Sequence, residues 1–199
     1  MTVESGHDLL ETLDLHRLDL QETLRQSTID PRSLSSFQRI LLTTDGTVTD
    51  ILEAYLWESM QVVKLDQGHV ETTKEIPYLD LGRGADIMAR KILLRGKTSH
   101  KNYIYAESIV VPGHLNQAIR DGLEKTKKPV GQLMLESRLE TFREILVCRR
   151  ESAQGIGQYF DIQPDDMLIS RTYRVFAEGR PMMLITEKFP EKEFQDLGR

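Results

Sequence analysis

The sequence predicts an α+β domain, an antiparallel β-sheet with helices packed on it. Three observations carry that reading. Leucine-rich segments with helical spacing come first, apolar runs alternating with period two follow in pairs across turn signals, and one helical excursion interrupts the strands. With 199 residues, 39% of them hydrophobic and 29% charged, the chain can bury the core of one ordinary domain. No internal repeat, low-complexity tract or linker divides it.

The elements follow in order. Leu9, Leu10, Leu13, Leu15, Leu18, Leu20 and Leu24 form an imperfect helical stripe over residues 8–26 that should stop before Pro31. A short helix is expected over Leu34–Leu42 with Ser33 as its N-cap. Asp45-Gly46 breaks the chain, and Thr47 with Asp50 three residues on resembles a capping box for a helix running to about Trp57. Residues 61–68 alternate as a strand, and 71–86 form a polar connection bearing proline and glycine. A hairpin is expected next, with ADIMARKILLRG and YIYAESIVVP as strands around KTSHKN. Pro112-Gly113 ends it, and 114–126 reads as a helix, with a further helical turn over Gly131–Ser137. ETFREILVCRR is a strand, and 151–166 a loop or short helix. A last hairpin over 171–190, turning at Glu178-Gly179-Arg180-Pro181, closes the sheet. The expected division is a helical extension over 1–40, one α+β domain over 41–190 and a tail over 191–199.

Charge and composition exclude several classes. The net charge of −5 and the lack of a long basic run argue against nucleic-acid binding. The acidic, leucine-patterned N-terminus is unlike a secretory signal, and no stretch approaches the roughly 18 apolar residues of a membrane-spanning helix. Cys148, the single cysteine, forms no internal disulfide and no multi-cysteine metal site; it is expected to be buried and apolar in role. His7, His16, His69, His100 and His114 show no metal-binding spacing. Phosphate-loop, dinucleotide and nucleophile-elbow motifs are missing. A cytoplasmic protein without a metal is the expectation.

Two charges stand out against their strands. In MMLITEKF, alternation places Met183, Ile185, Glu187 and Phe189 on one face; in DIMARKILLRG it places Met88, Arg90, Ile92 and Leu94 together. Each ionic side chain thus shares a face with apolar neighbours, where a charge without a partner costs several kcal/mol or shifts its pKa. Arg90 and Glu187 could be each other's structural partner. Alternatively they floor a pocket in which Arg90 grips a ligand carboxylate through its planar fork and Glu187 accepts from a ligand hydroxyl.

LLTTDGTVTDILE, ARKILLRG, YAESIVVP, KKPVGQLML and RTYRVFAEGRPMMLITEKF, in this order and spacing, resemble the chorismate pyruvate-lyase family, in the branch of cyanobacteria, red-algal plastids and mycobacteria. The resemblance covers about Leu41 to Phe189, and the last block is its most specific part. It implies a chorismate lyase-like fold and removal of the enolpyruvyl group of chorismate as pyruvate, leaving 4-hydroxybenzoate, with no cofactor. It further implies that Arg90 binds the aromatic-acid carboxylate, that Glu187 binds the ring hydroxyl, and that the segments around Val48 and Val130 complete the substrate site. The ubiquinone-pathway branch has an arginine where this chain has Glu107, which reverses a charge near the expected site. The second cation, for the enolpyruvyl carboxylate, is then expected to be Arg174, with Arg171 next, and Glu107 pairs with one of them or is a structural strand residue. The same fold serves effector-binding domains of transcription regulators, so a non-catalytic domain binding an aromatic acid is the alternative. Those regulators carry a winged-helix domain ahead of the sensor, whereas only about 40 residues precede the matching region here, too few for a compact independent domain.

Overall fold

In the computed structural model, which describes residues 29–195, six strands form one antiparallel sheet. In chain order the elements are helices α1 (Ser36–Thr43) and α2 (Val48–Leu56), strands β1 (Met60–Glu71), β2 (Asp86–Gly96) and β3 (Asn102–Val110), helices α3 (Gln117–Lys125) and α4 (Val130–Glu136), and strands β4 (Thr141–Ser152), β5 (Met167–Ala177) and β6 (Arg180–Pro190). The helix expected over 8–26 lies outside the described residues. Among those described, no helix is long and apolar enough to cross a membrane.

Both helix starts differ from the capping expected. α1 is capped by Ser35, not Ser33: the Ser35 hydroxyl accepts from the Gln38 N–H, and the Gln38 side chain accepts from the Ser35 N–H. These are the reciprocal bonds of a capping box, which satisfy two otherwise orphaned donors. Thr47 makes no side-chain capping bond at the start of α2. The polar connection 71–86 holds a 3-10 turn at Pro77–Leu79, and the segment before β5 holds another at Gln154–Tyr159.

The sheet order is β1-β2-β3-β6-β5-β4. The last hairpin therefore inserts β6 beside β3 in the middle of the sheet, and β4 becomes an edge. Residue chemistry accounts for this order. Met182, Met183, Leu184 and Ile185 are all buried, as a strand covered on both faces requires, while β4 carries Arg149 and Arg150 in exposed positions suited to an edge.

The helices α1 to α4 cover one face. Leu41, Leu42, Val48 and Leu52 pack there against Met60, Val62, Leu94, Ile104 and Phe189, while Ile119, Leu123, Leu133 and Met134 pack against Met88, Val110, Tyr173 and Met183. The other face is covered by the two 3-10 segments, over Ile87, Ile109 and Leu184 at one end and over Leu93, Tyr105 and Leu168 at the other. Core packing continues past residue 190, because Phe194 is fully buried among Phe37, Tyr103 and Phe189. Cys148 is partly buried against the core beneath α1 and α2, and burial pushes its thiol pKa up.

Candidate active site

Between the α1–α2 and α3–α4 pairs the sheet floors a partly open cleft with a cavity volume of about 70 Å³. Its lining joins apolar side chains to a few polar ones, the make-up of a small-molecule site. Ile92, Leu94, Ile104, Ala106 and Ile185 provide an apolar floor; Val48 and Val130, each the first residue of its helix, stand over it from α2 and α4. The polar side chains of the cleft include Arg90, Ser108, Arg143, Tyr173 and Glu187. Arg90, Glu187, Val48 and Val130, all expected from the sequence, thus line one cleft.

Arg90 and Glu187 are not each other's partner. Glu187 Oε2 accepts from Arg171 Nε at 2.8 Å, and its Oε1 accepts from the Tyr173 hydroxyl at 3.0 Å. Arg171 sits across from Glu187 in the β5/β6 ladder and is only 1% exposed, so the opposite charge compensates the carboxylate within the sheet. The Tyr173 ring lies under the Arg171 guanidinium at 4.8 Å. Burial foremost, and then the Glu187 charge, push the Tyr173 pKa upward, so its hydroxyl stays a donor. Glu187 is thereby oriented, and its remaining lone pairs can accept from a ligand.

Arg90 is in a different condition. It is 4% exposed, and its Nε donates to Gln67 Oε1 at 3.0 Å. No carboxylate pairs with it among the described residues. Burial holds its pKa down to about 10, still protonated at neutral pH. A buried cation without a counter-ion is costly in an isolated protein, and an anionic ligand relieves that cost.

The other expected cations are elsewhere. Strand alternation puts Arg171, Tyr173 and Val175 on the cleft face, so Arg174 belongs to the opposite face, where it forms an ion pair with Glu144 and stacks over Phe176 at 4.8 Å. Arg174 therefore does not line the cleft. Arg171 is consumed by Glu187 and by the Thr44 carbonyl, to which its Nη1 donates at 2.8 Å. Glu107 also faces away from the cleft: it is 6% exposed, accepts from the Tyr105 hydroxyl at 2.6 Å, and lies opposite Lys91 and Thr186 in the ladders. It pairs with neither Arg171 nor Arg174.

Arg143 of β4, not expected from the sequence, supplies a second cation at the cleft. Its Nη1 donates to the Asp45 carbonyl at 2.8 Å, so the loop before α2 is held at two successive carbonyls, Thr44 by Arg171 and Asp45 by Arg143. The signal in the sequence was its parity with the apolar Ile145 in FREILV.

The profile describing the Rv2949c-like chorismate pyruvate-lyases matches residues 42–195. The chain belongs to this chorismate pyruvate-lyase family. Relatives named chorismate pyruvate-lyase include a protein of Mycobacterium leprae, 33% identical over 84% of this chain and 80% of its own length. Another, from Mycobacterium tuberculosis, is 30% identical over 83% of this chain and 85% of its own. Among solved structures, PhnF from Mycobacterium smegmatis superposes with a TM-score of 0.61 at 7% identity, covering 77% of this chain and 67% of that one. The effector domain of PhnF gives 0.60 at 8% identity, covering 76% and 92%. At these identities the structural likeness extends to fold alone.

Proposed function

We propose that this cleft eliminates pyruvate from chorismate to leave 4-hydroxybenzoate, without metal or organic cofactor, as a cytoplasmic lyase. The observation that carries the assignment is the buried Arg90, without a counter-ion among the described residues, lining one apolar-floored cleft with an oriented Glu187. Arg90 takes the ring carboxylate on its two terminal nitrogens. Glu187 accepts from the ring hydroxyl. The apolar residues between them receive the ring, with Val48 and Val130 above it. Arg143 takes the enolpyruvyl carboxylate, the role left open once Arg174 and Arg171 are accounted for.

In this pose the site fixes a conformer and holds charge in place. The carbon–oxygen bond of the enolpyruvyl ether breaks with its electrons leaving on oxygen. The neighbouring ring carbon loses its hydrogen as a proton, and that electron pair completes the aromatic sextet. Enolpyruvate gains a proton at its methylene carbon to become pyruvate, so the atoms of chorismate divide between the two products. Aromatisation supplies the driving force. The protein's part is orientation, together with cationic stabilisation of the departing enolpyruvate by Arg143. Incubating the purified chain with chorismate should release 4-hydroxybenzoate and pyruvate in equal amounts, undiminished by exhaustive chelation. Chorismate left intact, or activity restored only by added metal, would contradict the proposal.

A further inference from the structure

The ladder beside Arg90 contains an irregularity that decides what faces it. β1 pairs Lys64 with Ile92 and then Asp66 with Lys91, which leaves Leu65 as an extra, exposed residue. Such a β-bulge changes the parity of everything beyond it. Gln67 consequently falls opposite Arg90, and Asp66 falls opposite Lys91. An unbulged ladder through the same residues would set Leu65 opposite Lys91 and Asp66 opposite Arg90.

The difference is chemical. A carboxylate opposite Arg90 would form an internal ion pair and neutralise the charge that the substrate carboxylate has to meet. The Gln67 carboxamide instead occupies only Nε, at 3.0 Å, and carries no charge. It turns the guanidinium plane while leaving the cation uncompensated. Lys64, on the same side of the bulge as Ile92, has its ammonium bound by the Leu123 and Glu124 carbonyls at the end of α3, so its charge adds to the positive field at Arg90. We infer that the bulge at Leu65 and the neutral Gln67 set ligand affinity in this family member, with Gln67 as a positioning residue that orients Arg90 and keeps it electrically available for the ring carboxylate. The inference rests on the assignment of Arg90 proposed above.

The test compares the wild-type chain with Gln67→Glu and Gln67→Ala in three measurements: steady-state turnover of chorismate, the Kd for 4-hydroxybenzoate, and the unliganded thermal midpoint. Gln67→Glu should raise KM and Kd by about tenfold or more with kcat changed far less, because ground-state and transition-state binding of the carboxylate are lost together. Its midpoint should not fall, since the new ion pair compensates a buried cation. Gln67→Ala should lose less affinity, because it removes orientation but adds no competing charge. A merely structural glutamine would lower stability and affinity in step. Wild-type affinity in Gln67→Glu, equal losses in the two variants, or a glutamate variant that unfolds would each overturn the inference. If the wild-type chain itself binds no 4-hydroxybenzoate, the assignment of Arg90 fails first and the inference falls with it.

Discussion

At the scale of residues, the same face of the sheet holds two arginines with opposite energetics. Arg171 is a structural cation, bonded to Glu187 and to the Thr44 carbonyl, and Glu187→Gln would leave it buried without its charge partner. That substitution should destabilise the fold by about 3–5 kcal/mol in chemical unfolding. Among the described residues Arg90 has no carboxylate partner to strand, so Arg90→Met should keep the unfolding midpoint at or above that of the wild type while turnover falls roughly a hundredfold or more. Arg90→Lys retains the charge but not the two-pronged fork, and should still impair turnover clearly. Arg143→Gln offers a separate check, because 4-hydroxybenzoate lacks the second carboxylate of chorismate. Steady-state kinetics and product titration should show a lowered kcat and kcat/KM for chorismate beside a nearly unchanged Kd for 4-hydroxybenzoate; a parallel loss of product affinity would remove Arg143 from its assigned role.

At the scale of elements, period-two alternation made Arg90 and Glu187 legible as inward charges, and the apolar run at Met182–Ile185 was compatible with the buried central strand that β6 turns out to be. Alternation also separates Arg171 from Arg174, three residues apart and hence on opposite faces, so Arg174 could have been set aside from spacing alone. What spacing does not carry is strand order and partner choice. The insertion of β6 between β3 and β5 is a long-range pairing, and it makes Arg171, not Arg90, the partner of Glu187. The bulge at Leu65 is likewise invisible to a strictly alternating reading, which is why Gln67 was missed. The cleft mouth depends on one close approach between elements: a Cβ on Gly131 of α4 would come within 2.5 Å of Thr47 Cγ2 in the loop before α2. Gly131→Ala therefore has to push α4 and that loop apart, since the β-branched Thr47 has little rotamer freedom to yield. The expected outcome is a KM for chorismate raised several-fold, measured by steady-state kinetics, with the global unfolding midpoint little changed.

At the scale of the whole molecule, a single antiparallel sheet does two jobs with its two faces. The face beneath α1 to α4 is apolar apart from a polar cluster that includes Arg90, Arg143, Arg171, Tyr173 and Glu187, and the face beneath the 3-10 segments buries Glu107 between two separate apolar clusters. A ligand that fills the cleft should stabilise the folded chain by mass action, so 4-hydroxybenzoate should raise the thermal midpoint more than benzoate at equal concentration. Equal protection by the two would show that the hydroxyl finds no acceptor and would remove Glu187 from its role. Function in this cleft depends on how the aromatic acid lies between the two charges, and a crystal structure of the chain with 4-hydroxybenzoate would display that orientation. The carboxylate should lie on the Arg90 terminal nitrogens at about 2.7–2.9 Å, the ring over Ile92, Ala106 and Ile185, with the hydroxyl donating to Glu187. A product bound in the reverse orientation, or outside this cleft with Arg90 untouched, would contradict it.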